Sequence, residues 1–355
     1  MFLYIKRAFY GLFFLVSVCF QPSIAAQTNH SHHDSHRHHV EHGHHLMSAS
    51  SHAPIGVMAD HLMPKGDWML SYRYMDMDMD GSRIGQNRVS AREIVGTGMN
   101  PGQFLVAPTR MPMQMHMVGV MYGISDQVTL MGMLNFHENK MDHLIRNGRT
   151  FTTESDGLGD SQVSALVQLQ NTANSILNLE IGVSLPTGSI DERDDTPAMS
   201  NAFLPYPMQL GSGTYDLILG LTYVGQDGAF GWGAQARGVV RTGTNDEGYT
   251  LGDTLMVTSW LSRNLADALS VSARVTFSTE SNIEGQNNAL NPMMVQTANP
   301  ELQGGERWDI GLGLNWILAG GHRLGLEYTI PFAQDLDGPQ LEVDEQIVLG
   351  WQKSF

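Results

Sequence analysis

The chain has a single cysteine, Cys19, so close to the N-terminus that the remaining sequence holds neither a disulfide nor a thiolate metal site. Charged residues make up only 16% of the chain, and 36 acidic side chains outnumber 20 basic ones, for a formal charge of -16. That balance excludes nucleic acid as a partner, because a phosphate backbone needs a basic surface. It is compatible with a surface or cavity that tolerates cations. Beyond Phe20 no apolar run approaches the ~18 residues of a transmembrane helix. No G-x-S-x-G motif is present, so His116, His137, His143 and His322 have no recognisable nucleophile to serve. Grouping His137 with Glu138 and Asp142 is poor geometry, since adjacent strand residues face opposite sides. The chain reads as a non-enzyme.

What is present starts with MFLYIKRAFYGLFFLVSVCFQPSIAAQ. Lys6 and Arg7 precede an apolar run from Ala8 to Phe20, and the small residues Ser23, Ala25 and Ala26 follow. This is the layout of a secretory signal peptide over residues 1–26, which would take Cys19 with it. An acylated Cys19 is the weaker alternative, because Val18 is bulky where lipoproteins carry a small residue. Roughly 330 residues then remain, enough for one large β-domain.

Residues 27–60 are expected to form a disordered His-rich periplasmic arm. Ten of the fifteen histidines fall between residues 27 and 52, amid almost nothing that could enter a core. Repeated imidazoles hold Cu(II), Zn(II) or Ni(II), which makes His32, His33, His36, His38, His39, His42, His44 and His45 candidate metal ligands. A flexible arm that merely titrates near neutrality is the alternative.

From Trp68 onward the apolar residues alternate with polar ones. Twelve segments carry this period of two, near 68–76, 111–124, 127–138, 158–170, 175–186, 214–225, 229–242, 250–263, 267–280, 305–318, 322–332 and 342–355. Tight connections such as ISDQ, NTANS, GQDG, RNLAD and AGGH alternate with longer ones. An even count of strands with alternating short and long loops predicts an all-β fold over residues 61–355: a transmembrane antiparallel β-barrel of about 12 strands in an outer membrane, with both termini in the periplasm. The last strand ends in Phe355 with one apolar face, a signature of the kind read by outer-membrane assembly machinery.

The apolar parity of each strand marks its lipid side. Trp68, Leu70, Tyr72 and Tyr74, then Val118, Val120, Tyr122 and Ile124, then Val128, Leu130, Leu134 and Phe136 should face lipid. The opposite parity of the same three strands holds Met69, Met75, Met115, Met117, Met121, Met131, Met133 and His137, which should face the lumen. His116 alone has lipid-facing parity, and the outer rim is its expected place. Other strands put Gln162, Glu180, Gln235, Arg237, Arg274, Arg323 and Glu327 inside, as a water-filled channel would require. Met is also a flexible apolar filler that needs no chemistry. Its clustering here nevertheless suits soft coordination of Cu(I) or Ag(I), which makes Met75, Met115, Met117, Met121, Met131, Met133 and His137 candidate ligands along a conduction path. Asp76, Asp78 and Asp80 would add negative charge at the outer mouth, or else sit in a solvated loop.

The segments GLGD (157–160), SLPTGS (184–189), QLGSGTYDLILGLTY (209–223), YTLGD (249–253) and EYTIPFAQDLDGPQL (327–341) together resemble the outer-membrane transporter-like family named for the MetA pathway of phenol degradation. The resemblance runs from about residue 60 to the end. It implies an outer-membrane barrel of transporter type without a settled substrate. The expected function is thus an outer-membrane channel linked to copper or silver handling. A pore for small aromatic or hydrophobic compounds, or a metal-sequestering barrel without conductance, are the alternatives. Expected partners are outer-membrane lipid, the assembly machinery, and metal ions or small molecules; copper ions are the only cofactor suggested.

Overall fold

The structure is a computed structural model, and it describes residues 48–355; the expected signal peptide and the histidines from His30 to His45 lie outside the described residues. No helix among the described residues is long and apolar enough to cross a membrane. The wall is made of strands: β1 (Trp68–Gly85), β2 (Val106–Ser125), β3 (Val128–Ile145), β4 (Thr150–Leu158), β5 (Ser161–Asn171), β6 (Ser175–Leu185), β7 (Asp216–Asp227), β8 (Phe230–Val240), β9 (Thr254–Ala266), β10 (Leu269–Glu280), β11 (Gly305–Leu318) and β12 (His322–Ser354). All pairings are antiparallel between chain neighbours, and β12 returns to β1 to close the ring. β4 lies outside that ring path and continues β5 upward against β3, from Phe136 opposite Leu158 to Leu144 opposite Thr150.

Eleven strands make the ring, an odd number that an alternating antiparallel cylinder cannot close. The resolution lies in β12, which at 33 residues is far longer than a membrane crossing requires. Its first half pairs with β11, from His322 opposite Leu318 to Leu336 opposite Gly305. Its second half pairs with β1, from Leu336 opposite Gly85 to Ser354 opposite Met69. The two halves run back along each other: Gln334 Nε2 donates to the Val343 carbonyl at 2.9 Å, Tyr328 Oη to Glu345 at 2.6 Å, and Trp351 Nε1 to His322 Nδ1 at 3.1 Å. Counted as two staves, β12 brings the ring to the twelve that the alternation predicts.

The outer surface of β11 displays the membrane band. Trp308, Ile310, Leu312, Leu314 and Trp316 are 43%, 41%, 63%, 43% and 51% exposed, an aliphatic stretch between two aromatics. The two tryptophans stand about 26 Å apart along the strand at ~3.3 Å per residue, close to the ~25 Å apolar band of such barrels. β2, with 20 residues, rises well beyond that band. There the outward parity of β1 carries Asp76, Asp78 and Asp80, and Asp78 pairs with Arg110 at 2.7 Å. These aspartates therefore lie on the outside of the wall, not on the lumen side of a mouth.

The lumen is not simply an aqueous bore. Residues 48–67 rise into it from the short-turn end, bend back and descend to join β1. Ser262 Oγ donates to the Ser50 carbonyl and Ser270 Oγ to the Ala49 carbonyl, both at 2.8 Å, near the short turns. Higher up, Glu327 accepts from the Gly56 amide at 2.8 Å while holding Arg274 at 2.6 Å. Gln235 Nε2 donates to the Met58 carbonyl at 2.7 Å, and the Met63 amide returns to Thr129 Oγ1 at 2.8 Å. Ala53, Ile55, Val57 and Met63 are buried. Residues 48–60, expected in the disordered arm, are thus an ordered plug. Arg274, Arg323, Glu327 and Gln235 face the lumen as expected, but Arg323, Glu327 and Gln235 bind this plug and Arg274 holds Glu327 in place. Arg323, for instance, donates to the Ala53 carbonyl at 2.5 Å. The segment has no period because its carbonyls and amides bond to wall side chains, not to a ladder.

Two outcomes follow for the plug. A side chain at Gly231 would collide with the Ser50 carbonyl, so Gly231→Val should displace the plug foot. Its planar-bilayer conductance should rise while the heat-modifiable gel mobility of the folded barrel persists. Glu327→Gln leaves Arg274 buried without its counter-charge and should cost roughly 3–5 kcal/mol in detergent unfolding. Adding Arg274→Met should recover most of that loss.

Candidate functional site

The methionines at inward parity form rungs across β1, β2 and β3. Met69 stands opposite Met121, which stands opposite Met131. Arg73 lies opposite Met117, itself opposite Asn135; above them Met75 lies opposite Met115, itself opposite His137. Higher still, Met77 pairs with Met113 and Met79 with Met111. Directly opposite residues on one face hold their Cβ atoms about 4.5–5.5 Å apart, so successive rungs make one sulfur-bearing strip up the lumen wall. Met133 shares this face, opposite Gly119. The strip exists because β1, β2 and β3 each carry Met at alternate positions and their registers align.

At its lower end Met69, Met121 and Met131 pack with Met63 and Ala59 of the plug. Met63, on the plug, carries no strand periodicity, and only the tertiary fold brings it to the strip. At the upper end Met111, Met141, Leu204 and Met208 form a second cluster, with Met79 and Met113 against it. Between that cluster and the loops lies a cavity of about 510 Å³, also bordered by Tyr206, Leu251 and Ile283. The long loops beside it pack into a cap with its own core of Tyr206, Tyr249, Ile283, Leu290, Val295 and Ala298. Burial pushes the Tyr249 hydroxyl up to about 12, so the cap stays neutral at that point.

The remaining histidines are dispersed. His116 lies on the outer face, as its parity requires, where Tyr72 Oη bonds its Nδ1 at 2.7 Å beside the Tyr74 ring. His143 stacks on Phe151, with ring centroids 4.5 Å apart. His137 belongs to the Met75–Met115 rung, whereas Glu138 next to it is exposed. The eight candidate ligands from His32 to His45 lie outside the described residues.

Three of the glycine-bearing segments meet at one carboxylate. Asp160 of GLGD accepts from the Gly188 amide of SLPTGS at 3.0 Å, and from both the amide and the hydroxyl of Ser212 in LGSGTYD at 2.8 Å. Thr187 Oγ1 donates to the Gly159 carbonyl at 2.8 Å. The backbones approach so closely that a Cβ on Gly188 or Gly211 would strike the other segment. These motifs therefore tie the start of β5 to both ends of the long connection between β6 and β7. In YTLGD, Asp253 accepts from the Arg241 amide at 2.8 Å.

One solved structure of similar fold agrees with this architecture. An outer-membrane channel from Pseudomonas putida F1 shares 14% identity with a TM-score of 0.58, covering 83% of this chain and 98% of that one. The β-domain of the Bordetella autotransporter BrkA aligns at 11% identity and a TM-score of 0.44 over 82% of this chain and 100% of that one. The Pseudomonas putida toluene transporter TodX aligns at 9% identity and a TM-score of 0.43 over 86% and 95%. No curated protein matches the sequence. A family profile does, and residues 111–323 match it, so this chain belongs to the family described as the putative MetA-pathway of phenol degradation.

Proposed function

We propose that this outer-membrane-type barrel handles a soft cation, Cu(I) or Ag(I), along the methionine strip of its lumen, with its N-terminal arm in the periplasm. One observation carries the reading: the thioethers of β1, β2 and β3 share the inward face from the plug to the upper cavity. Neutral sulfur donors repeated at strand spacing bind a soft ion weakly at many sites, which is what passage requires. The wall would face outer-membrane lipid, and the Phe355 end would be read by the assembly machinery. A second reading rests on the cavity of about 510 Å³. That volume suits a small organic ligand, and the family description points to phenol degradation. Methionine would then serve as an adaptable apolar lining.

Replacing Met75, Met115 and Met117 together by Leu keeps apolar volume at under ~1.5 kcal/mol per site and removes the sulfur. In proteoliposomes the variant should carry Ag(I) about tenfold more slowly than the parent, and a deletion strain complemented with it should differ in silver and copper tolerance from one complemented with the parent. Unchanged metal tolerance with altered uptake of an aromatic compound would assign the barrel to the second reading. Silver bound without flux in either protein would make it a sequestering barrel.

A further inference from the structure

The plug bends at Ala59, whose φ of 57° is a left-handed conformation that costs a non-glycine residue about 1–2 kcal/mol. The bend sets Asp60 and His61 beside His52 from the rising limb. One ligand atom from each of His52, Asp60 and His61 lies within 4.8 Å of the others. The His52 and His61 rings meet edge-on with centroids 5.6 Å apart. Asp60 is buried, and its other oxygen accepts from the Ala53 amide at 3.2 Å. As a carboxylate, Asp60 can only accept, so the 2.8 Å bond to His61 Nδ1 is donated by the ring. That leaves His61 Nε2 as the ligand atom, the carboxylate–histidine pairing common behind metal-bound imidazoles.

Against Asp60 and His61 lies a cavity of about 20 Å³ that Met69, Met121, Met131 and Met133 also border, while His52 stands outside that border and joins the group only through its ligand atom within 4.8 Å. Two imidazoles and neighbouring thioethers are a soft donor set. The charge balance selects further. Arg73 borders the same cavity, and Arg323 donates to the carbonyl of Ala53, the residue whose amide donates to Asp60, so two guanidinium groups already lie near one carboxylate. A divalent ion would add more repulsion than a monovalent one. We infer that His52 and His61 of the plug, oriented by Asp60, bind a soft monovalent cation at the foot of the methionine strip, with a thioether from Met69 or Met133 completing its shell. Such an ion would link the two limbs of the plug to the wall of β1 and β3. The inference rests on plug residues and deepens the soft-cation reading; it does not depend on whether the ion is conducted.

The test uses the full-length protein in detergent, with the nine histidines between His30 and His45 replaced by Ser so that the arm does not compete. Ag(I) is offered by equilibrium dialysis and counted by mass spectrometry, with Zn(II) in a parallel series. The tightest Ag(I) should bind at one per chain and more strongly than Zn(II), and X-ray absorption should place both nitrogen and sulfur around it. His52→Ala with His61→Ala should weaken it at least tenfold, and Asp60→Asn by roughly ten- to hundredfold. Met69→Leu with Met133→Leu should weaken Ag(I) and leave Zn(II) unchanged. Heat-modifiable mobility checks that each variant retains its barrel. Silver binding unaffected by the paired histidine substitution, or Zn(II) held as tightly as Ag(I), would overturn the inference. So would a silver shell without nitrogen. Flux through the Met75, Met115 and Met117 variant is read separately, so loss of the plug site and loss of conduction are distinguishable.

Discussion

In hydrocarbon a backbone amide or carbonyl without a partner costs several kcal/mol, and no water is at hand to supply one. A wall of strands meets that demand only by closing on itself. Closure explains why β12 doubles back near Gly338, supplying the stave that an odd ring would lack. It also separates two environments by a single residue step. Trp308 to Trp316 face outward at alternate positions, while Asp309 and Asn315 between them are buried inside.

The same constraint shapes the interior. A barrel of twelve staves has more lumen than its own side chains fill, and the plug occupies the lower part. Most of its bonds to the wall go to side chains, because the ladder already pairs nearly all of the wall's backbone; only beside β1 do Gly66 and Asp67 exchange backbone bonds with Gly123. Serine, threonine, glutamine, arginine and glutamate on the inner wall thus act as a socket for a segment with no ladder of its own. Small wall residues complete the fit. Gly325 and Gly350 lie against Ile55, where a side chain would leave no room for it.

Methionine joins these two regions because it is both apolar and a donor. At the bottom of the strip it packs against the plug as any aliphatic residue would; at the top it lines a cavity beside the loop cap. An aliphatic strip would serve packing equally well. On the proposed soft-cation reading, sulfur matters where imidazoles approach, at His137 on the wall and at His61 on the plug. The Asp160 junction has a different task. By holding three glycine-bearing segments together, it fixes the rim from which the cap loops fold inward.

Alternation along the chain determined the barrel, the staves and which face of β1, β2 and β3 bears methionine, because a strand records its two environments in neighbouring residues. It also marked His116 as an outward residue on β2. What alternation could not hold is the course of residues 48–67 or the meeting of His52, Asp60 and His61. The plug reads locally as a short polar and small-residue tail. Its conformation is set by bonds such as that from Gly56 to Glu327, 271 positions away. The upper cap is similar, since Tyr249 is buried by residues from other loops. Period-two patterning is a short-range signal, and these contacts arise only once the cylinder has closed.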